Sequence, residues 1–216
     1  MSISARDQLV LSLDRTLRTL SGSARASRPS PASAAIAGEN DSTSALDAAE
    51  RQTSISLMRV NHAGEIAAQA LYQGQALFAR DANVKAKLAH AADEELDHLA
   101  WTRERVQALG GRTSLLDPIW YAGAFAIGAA AAAVGDKASL AFLEATEEQV
   151  EAHLDSHLSR LPANDHESRA IVAQMKADEA SHAQTARILG SPGMPLLAQG
   201  LMRASAKVMT TLAAKI

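Results

Sequence analysis

Two Glu-x-x-His pairs, Glu95 with His98 and Glu179 with His182, are the residues of this chain best suited to chemistry. A spacing of three puts carboxylate and imidazole on one helix face, about one turn apart. Both can then reach a single metal ion at about 2.0–2.2 Å. Each pair stands on an apolar stripe. From Val172 the core-facing positions of a helix run through Met175, Glu179, His182, Ala186 and Leu189. An earlier stripe runs through Leu88, Ala92, Glu95, Leu99, Thr102, Val106 and Leu109. A charge buried on such a stripe needs an opposite charge or a metal.

A bundle that holds two metals with two Glu-x-x-His helices needs one further Glu from each of its other two helices. Between the pairs, the seam Leu140, Leu143, Glu147, Val150, Leu154, Leu158 selects Glu147, and leaves Glu144, Glu148 and Glu151 beside or behind it, toward solvent. In the first bundle helix Glu65 is the candidate, with Met58 and Tyr72 a heptad to either side. Glu65 precedes Glu95 by 30 residues and Glu147 precedes Glu179 by 32, so the chain reads as two helical hairpins of matching design. Four carboxylates with two histidines form a hard-to-borderline donor set that suits two iron ions. Around them, Asp178 and Glu94 are placed to accept the free N–H of a histidine on the facing helix. His153 lies near the Glu147 seam, as a proton carrier or a satisfied core histidine, and His62 stands one turn before Glu65. His90, His157 and His166 read as surface residues.

The elements that must position these groups follow from caps and breakers. Residues 1–20 predict an amphipathic helix with Leu9, Leu13, Leu17 and Leu20 on one docking face. Residues 21–45, rich in Ser, Ala and Pro, predict a flexible linker without chemistry. The bundle is expected over 46–190. Its first helix runs from near Leu46 to about Ala79. The second is capped by Asp81 or Asn83 and stopped by Gly110 and Gly111. An uncharged run, Pro118–Val134, follows and is closed by Gly135, with Asp136 as the next cap. A third bundle helix spans 137–161, and a fourth is capped by Asn164 or Asp165. Residues 191–216 close the chain with an amphipathic helix. No strand pattern occurs.

The uncharged run fits a crossover. Glu95 lies about 21 Å before the end of its helix and Glu147 about 16 Å into its own. If those helices run parallel, the link must return roughly 37 Å, and residues 110–135 as helix span about 39 Å. The run falls short of a membrane span. The last helix carries Leu197, Leu201, Val208 and Leu212 with Arg203, Lys207 and Lys215 as its only charges. A basic amphipathic helix beside an apolar one predicts attachment to a membrane surface. A helix-mediated homo-oligomer is the competing use of the same faces.

Composition narrows the field. The 216 residues contain 47% hydrophobic but only 3% aromatic side chains, which with abundant Ala points to an all-α chain. A net charge of −3 gives no nucleic-acid footprint. The absence of Cys excludes disulfides, iron–sulfur clusters and a Cys nucleophile, so any metal must be held by Glu, Asp and His. The charged N-terminus lacks a signal-peptide run, which predicts an intracellular protein.

The strings Leu57-Met58-Arg59-Val60-Asn61-His62-Ala63-Gly64-Glu65, Ala70-Leu71-Tyr72-Gln73-Gly74-Gln75, Glu94-Glu95-Leu96-Asp97-His98 and Asp178-Glu179-Ala180-Ser181-His182 resemble the demethoxyubiquinone hydroxylases of ubiquinone biosynthesis. The likeness covers about residues 46–216. It implies a ferritin-like four-helix di-iron bundle with metal ligands Glu65, Glu95, His98, Glu147, Glu179 and His182, of which Glu95 and Glu179 bridge. The implied activity is that of a monooxygenase peripheral to the cytoplasmic face of the inner membrane. It would use O2 and two Fe ions to hydroxylate the ring of a polyprenylated demethoxyubiquinol, with electrons from an external reductant or from the quinol. A biosynthetic complex is a further partner that this role would suit. Two other readings stay open: an iron-oxidising or storage protein of the ferritin type, and a non-enzymatic membrane-binding helical protein.

Overall fold

The computed structural model describes residues 5–37 and 45–216, and places eight helices among them. They are α1 (Ala5–Ser21), α2 (Pro31–Ala37), α3 (Ala48–Phe78), α4 (Ala82–Ala108), α5 (Asp117–Val134), α6 (Asp136–Arg160), α7 (His166–Ile188) and α8 (Leu196–Ala213). No strand occurs among the described residues. Helices α3, α4, α6 and α7 form an all-α bundle of two hairpins, α3–α4 and α6–α7.

Local chemistry sets the helix starts. Asp47 and Glu50 form a reciprocal capping box at α3, with Glu50 N to Asp47 Oδ1 at 2.8 Å and Asp47 N to Glu50 Oε2 at 2.9 Å. Asp81 accepts from the Asn83 and Val84 amides at the start of α4. Asp165 accepts from Ser168 N at the start of α7 and also takes Arg105 Nη2 at 2.8 Å, tying α7 to α4. Asp136 departs from the expected capping role. It accepts the Arg80 and Asp81 amides at 3.0 and 2.8 Å, fastening the α3–α4 turn to the junction of α5 and α6. Gly135, at φ 145°, occupies the cap position of α6 instead, without a side-chain cap bond.

α5 is the crossover. Near its start, His62 on α3 approaches Asp117; near its end, Arg80 Nη2 donates to Ala133 O. α5 therefore runs parallel to α3, and α6 begins at the same end of the bundle as α4. The two helices touch through glycines: a Cβ on Gly128 would collide with the Leu71 carbonyl, and one on Gly74 with the Phe125 carbonyl. Tyr121, Ala124, Gly128 and Ala132 face α3, while Ile119, Ile127 and Val134 stay exposed. By length and composition alone α5 is apolar enough to cross a membrane.

The core is divided. One apolar cluster joins Leu57, Met58, Trp101, Leu154, Ile171 and Met175, and a second joins Tyr72, Val84, Leu88, Leu140, Leu143 and Ala186. In sequence and along each helix, the Glu and His candidates fall between the two clusters.

Two expectations for the N-terminal region need correction. In α1, Leu13, Leu17 and Leu20 are exposed, and the helix docks through buried Thr19 and through Thr16, whose hydroxyl meets Tyr121 OH at 2.7 Å; the Leu9 side chain lies outside the described residues. Residues 21–37 are built into the bundle rather than forming a linker, because they bring hydrogen-bonding groups to buried acids instead of an apolar stripe. Ser27 N donates to Asp97 Oδ1 at 2.6 Å, and α2 packs on α7. Residues 38–44 of the expected linker lie outside the described residues.

α8 lies against α3 and α6. Arg59, 8% exposed, donates to Arg112 O and Ala214 O, and so holds the end of α8 to α3. Leu197, Leu201, Val208 and Leu212 point away from the bundle.

The closest constraint is the glycine contact. Gly128→Val should push α5 off α3 and cost about 2–3 kcal/mol. For a chain of this size that lowers the melting temperature by roughly 5–10 °C in a thermal scan, whereas Gly123→Ala, at an open exposed position inside the helix, should leave it level or raise it slightly.

Candidate metal centre

Glu65 on α3, Glu95 and His98 on α4, Glu147 on α6, and Glu179 and His182 on α7 converge in the layer between the two apolar clusters. None exceeds 6% exposure. Donor atoms of Glu65, Glu95, His98 and Glu179 all lie within 4.8 Å of one another, as do those of Glu147, Glu179 and His182. Glu179 belongs to both groups. Glu95 reaches both histidines, with Oε2 at 3.2 Å from His98 Nδ1 and Oε1 at 3.3 Å from His182 Nδ1. The six residues selected by stripe and spacing are thus brought together, as two overlapping donor groups with Glu95 and Glu179 between the histidines.

The electrostatics fit a cation pocket. Burial, reinforced by the neighbouring Glu95 charge, pushes the Glu65 carboxyl well up, and burial beside Glu179 does the same to Glu147. Burial also works against ionised Glu95 and Glu179. The histidines outweigh it, holding Glu95 well below the usual carboxylate range and Glu179 below it. His182 resists its own burial through Glu179 and Glu95 and is pushed up to about 12; His98 is raised well above its ordinary value in the same way. Protons on Glu65, Glu147 and both imidazoles therefore balance a charge that divalent ions would balance in their place. Glu65 Oε2 and Glu95 Oε1 are buried without a hydrogen-bond partner among the described residues, as befits oxygens meant for a metal. Four carboxylates, two imidazoles and no thiolate match the preferences of iron or manganese.

The outer contacts fix both imidazoles. Each turns Nδ1 toward the carboxylates and gives Nε2 to an acid on the facing helix: His98 to Asp178 at 2.8 Å and His182 to Glu94 at 2.9 Å. This geometry sets the tautomer that leaves Nδ1 free to ligate. Burial would raise the Asp178 carboxyl, but hydrogen bonds from His98 and Arg28 overcome it and hold it at about 2.

Other histidines diverge from expectation. His62 pairs with Asp117 Oδ2 at 3.4 Å and faces α5 rather than the carboxylates. His153 is half-buried, its ring 4.0 Å from the His157 ring and tilted 57° to it, with Nε2 lacking a hydrogen-bond partner among the described residues. His157, expected at the surface, is 1% exposed, with Nδ1 2.7 Å from Asn61 Oδ1. It sits one turn after Leu154 on the inner side of α6, a position that the seam through Leu158 passed over. His90 and His166 are exposed. Glu144 is half-buried under Arg187 rather than solvated. Tyr72, read from sequence only as a heptad marker, donates its hydroxyl to Glu147 Oε1 at 2.7 Å. Its position seven residues after Glu65 was the available signal.

A cleft of about 390 Å³ between α3, α6 and α8 leads to Glu65, lined by Val60, Gly64, Val150, Leu154, Ala206 and Met209 among others, with exposed Arg203 and Lys207 at its rim.

Residues 52–213 match the family model described as ubiquinone biosynthesis protein COQ7. The chain belongs to this family. Similar proteins include the 3-demethoxyubiquinol 3-hydroxylases of Ralstonia pickettii (53% identical, covering 97% of this chain and 99% of the relative) and Aromatoleum aromaticum (51% identical, covering 97% and 99%). That of Burkholderia mallei is 54% identical over 96% of this chain and 97% of its own. Among solved structures, the bacterioferritin-related protein from Bacteroides fragilis, a dodecameric thioferritin, aligns with a TM-score of 0.55 at 18% identity, covering 74% of this chain and 92% of that one. That likeness places this COQ7-family chain in the ferritin-like fold. All six donors of the centre lie inside the matched segment.

The buried His157 has a testable pH signature. Burial, with His153 and Arg160 nearby, lowers it to about 3, so the fold holds it neutral. Between about 6.5 and 3 the unfolded chain binds a proton that the folded one refuses, and stability falls as the pH drops through that window. At pH 4.5 the loss is about 2–3 kcal/mol. Thermal scans at pH 7 and pH 4.5 should show a smaller drop for His157→Gln than for the unaltered chain.

Proposed function

We propose that this COQ7-family chain is a di-iron monooxygenase that hydroxylates the ring of a polyprenylated demethoxyubiquinol, working on the cytoplasmic face of the inner membrane. The observation that carries the reading is a buried set of four Glu and two His, one of which, Glu65, lines an apolar cleft. The full-length similarity to 3-demethoxyubiquinol 3-hydroxylases supports it independently. Glu65, Glu95, His98, Glu147, Glu179 and His182 would hold two irons, with Glu95 and Glu179 bridging. When bound, the iron pair would supply O2 activation; the overall hydroxylation would place one oxygen atom on the ring and release the other as water, consuming two electrons from the quinol or an external reductant.

The chain's own groups prepare that reaction. Asp178 and Glu94 hold the imidazole tautomers, and the Tyr72 hydroxyl orients the Glu147 carboxylate. The apolar clusters on either side keep water from the centre, which strengthens every charge interaction inside. The quinone ring enters through the cleft beside Gly64, where a Cβ would meet nothing within 4 Å. The polyprenyl tail stays outside, along the exposed apolar strips of α5 and α8. The start of α5 and the end of α8 approach each other at Trp120, which packs on Val60, Ala63 and Ala213. Lys207 and Arg203 sit beside that surface and face anionic headgroups.

Metal analysis combined with turnover tests the reading. The purified chain should carry two irons, and Glu147→Ala or Glu179→Ala should remove at least one while the helical content is retained. With a demethoxyubiquinol, O2 and a chemical reductant, product should gain one oxygen by mass, labelled when ¹⁸O2 is used. Many irons per chain without quinol oxidation would instead favour storage, and a folded chain that takes up no iron would refute the centre. Separately, the double variant Arg203→Glu with Lys207→Glu should bind anionic vesicles at least about thirtyfold more weakly in sedimentation, since two basic residues lost at roughly 1 kcal/mol each amount to about 2 kcal/mol.

A further inference from the structure

Arg28 lies outside the segment matched by the family model and outside the set of metal donors, yet it reaches the metal centre's outer contacts. Its Nη2 donates to Asp178 Oδ2 at 2.9 Å, the same oxygen that His98 Nε2 meets at 2.8 Å. Its Nε donates to Asp97 Oδ2 at 2.6 Å. Its Nη1 stands 4.0 Å from Glu94 Oε1, too far for a hydrogen bond. The guanidinium lies 5.0 Å from the centroid of Trp101, and that ring is itself 5.6 Å from His98.

The backbone around Arg28 is built to hold it there. Pro29 restricts Arg28 to extended conformations, and Pro31 opens α2, which packs on α7, the helix of Asp178. On the other side, buried Ala24 joins the cluster of Ile66 and Leu99, and its carbonyl accepts Arg103 Nη2 at 2.7 Å. Ser27 adds its amide and hydroxyl to Asp97. A surface ion pair alone is worth little. Asp97 is 2% exposed, however, and a buried acid deprived of its partner is costly.

The two histidines consequently differ in their support. Asp178 is gripped from three sides, by His98, Arg28 and the Gln174 amide at 2.9 Å. Glu94, which serves His182, is 29% exposed, and beyond that histidine it has only distant contacts, with Arg28 at 4.0 Å and with exposed His90 at 3.9 Å, among the described residues.

We propose that residues 21–37 form a strap coupled to metal loading, with Arg28 a positioning residue that fixes Asp178 and through it His98. The inference rests on the reading of the six donors as metal ligands. A guanidinium that orients Asp178 presents His98 Nδ1 ready for a metal. By reciprocity, a metal that holds His98 in place makes Asp178 a better partner for the strap. Loss of Arg28 weakens the metal position that contains His98 and spares the one that contains His182. Outer partners of ligating histidines change metal affinity by about 10–100-fold, and Arg28, one contact further out, falls at the lower end.

Anaerobic titration of Fe(II) into the metal-free full-length chain, with amide hydrogen exchange of peptides covering residues 21–37, tests this. The unaltered chain should bind two Fe(II), and exchange in the strap should slow on loading. Arg28→Gln should lower the affinity for one of the two ions by about tenfold and abolish the metal-dependent slowing, and Arg28→Lys should recover part of both. If Arg28→Gln binds both ions unchanged and its strap exchange still responds to metal, the strap proposal is overturned and the metal centre stands. Equal weakening of both ions, or failure of Arg28→Lys to restore either readout, would make Arg28 merely structural and overturn it as well. An unaltered chain that binds no Fe(II) removes the metal centre and the coupling together.

Discussion

Everything in this bundle is arranged around the burial of four carboxylates and two imidazoles in one dry layer. Isolated charges in such a place cost far more than a small protein's whole margin of stability. The layer is tolerable because each carboxylate faces an imidazole, a proton or a cation, and because apolar clusters on both sides seal it. The helices are long because they must carry two apolar seals and a polar layer between them. The caps and the Asp136 and Asp165 contacts hold those long rods in register, since a slip of one residue would rotate a buried Glu or His by about 100° away from its partners.

Much of this was legible because the helix period converts spacing into direction. Glu147 could be chosen over Glu144, Glu148 and Glu151 on its seam alone, and it is the one that joins Glu179 and His182. Asp178 and Glu94 could be named because each precedes a stripe residue and so points toward the neighbouring helix. The fold class followed from the same periodicity with the absence of any strand pattern.

What escaped the sequence depended on contacts without a period. Arg28 meets partners 69 and 150 residues away, and nothing in a Ser- and Pro-rich stretch marks one arginine as paired. Composition reports how little apolar surface a segment can bury; it is silent on hydrogen bonds to acids elsewhere. His157 was misplaced because histidine is ambiguous between core and surface, and only its Asn61 partner settles the matter. The Leu face of α1 was expected to dock, yet it is the threonines that touch the bundle. For a short amphipathic helix, the apolar side need not be the side that meets protein.

The pairing of Asp178 with His98 and of Glu94 with His182 carries an architectural consequence. The acid that steadies each imidazole is supplied by the opposite hairpin, from the residue just before that hairpin's own central glutamate. Neither half can steady its own imidazole. A single hairpin of this design would need a second copy to buttress it, and α5 makes that mutual dependence intramolecular. The support is nonetheless unequal, because Arg28 reaches Asp178 at 2.9 Å and stays 4.0 Å from Glu94.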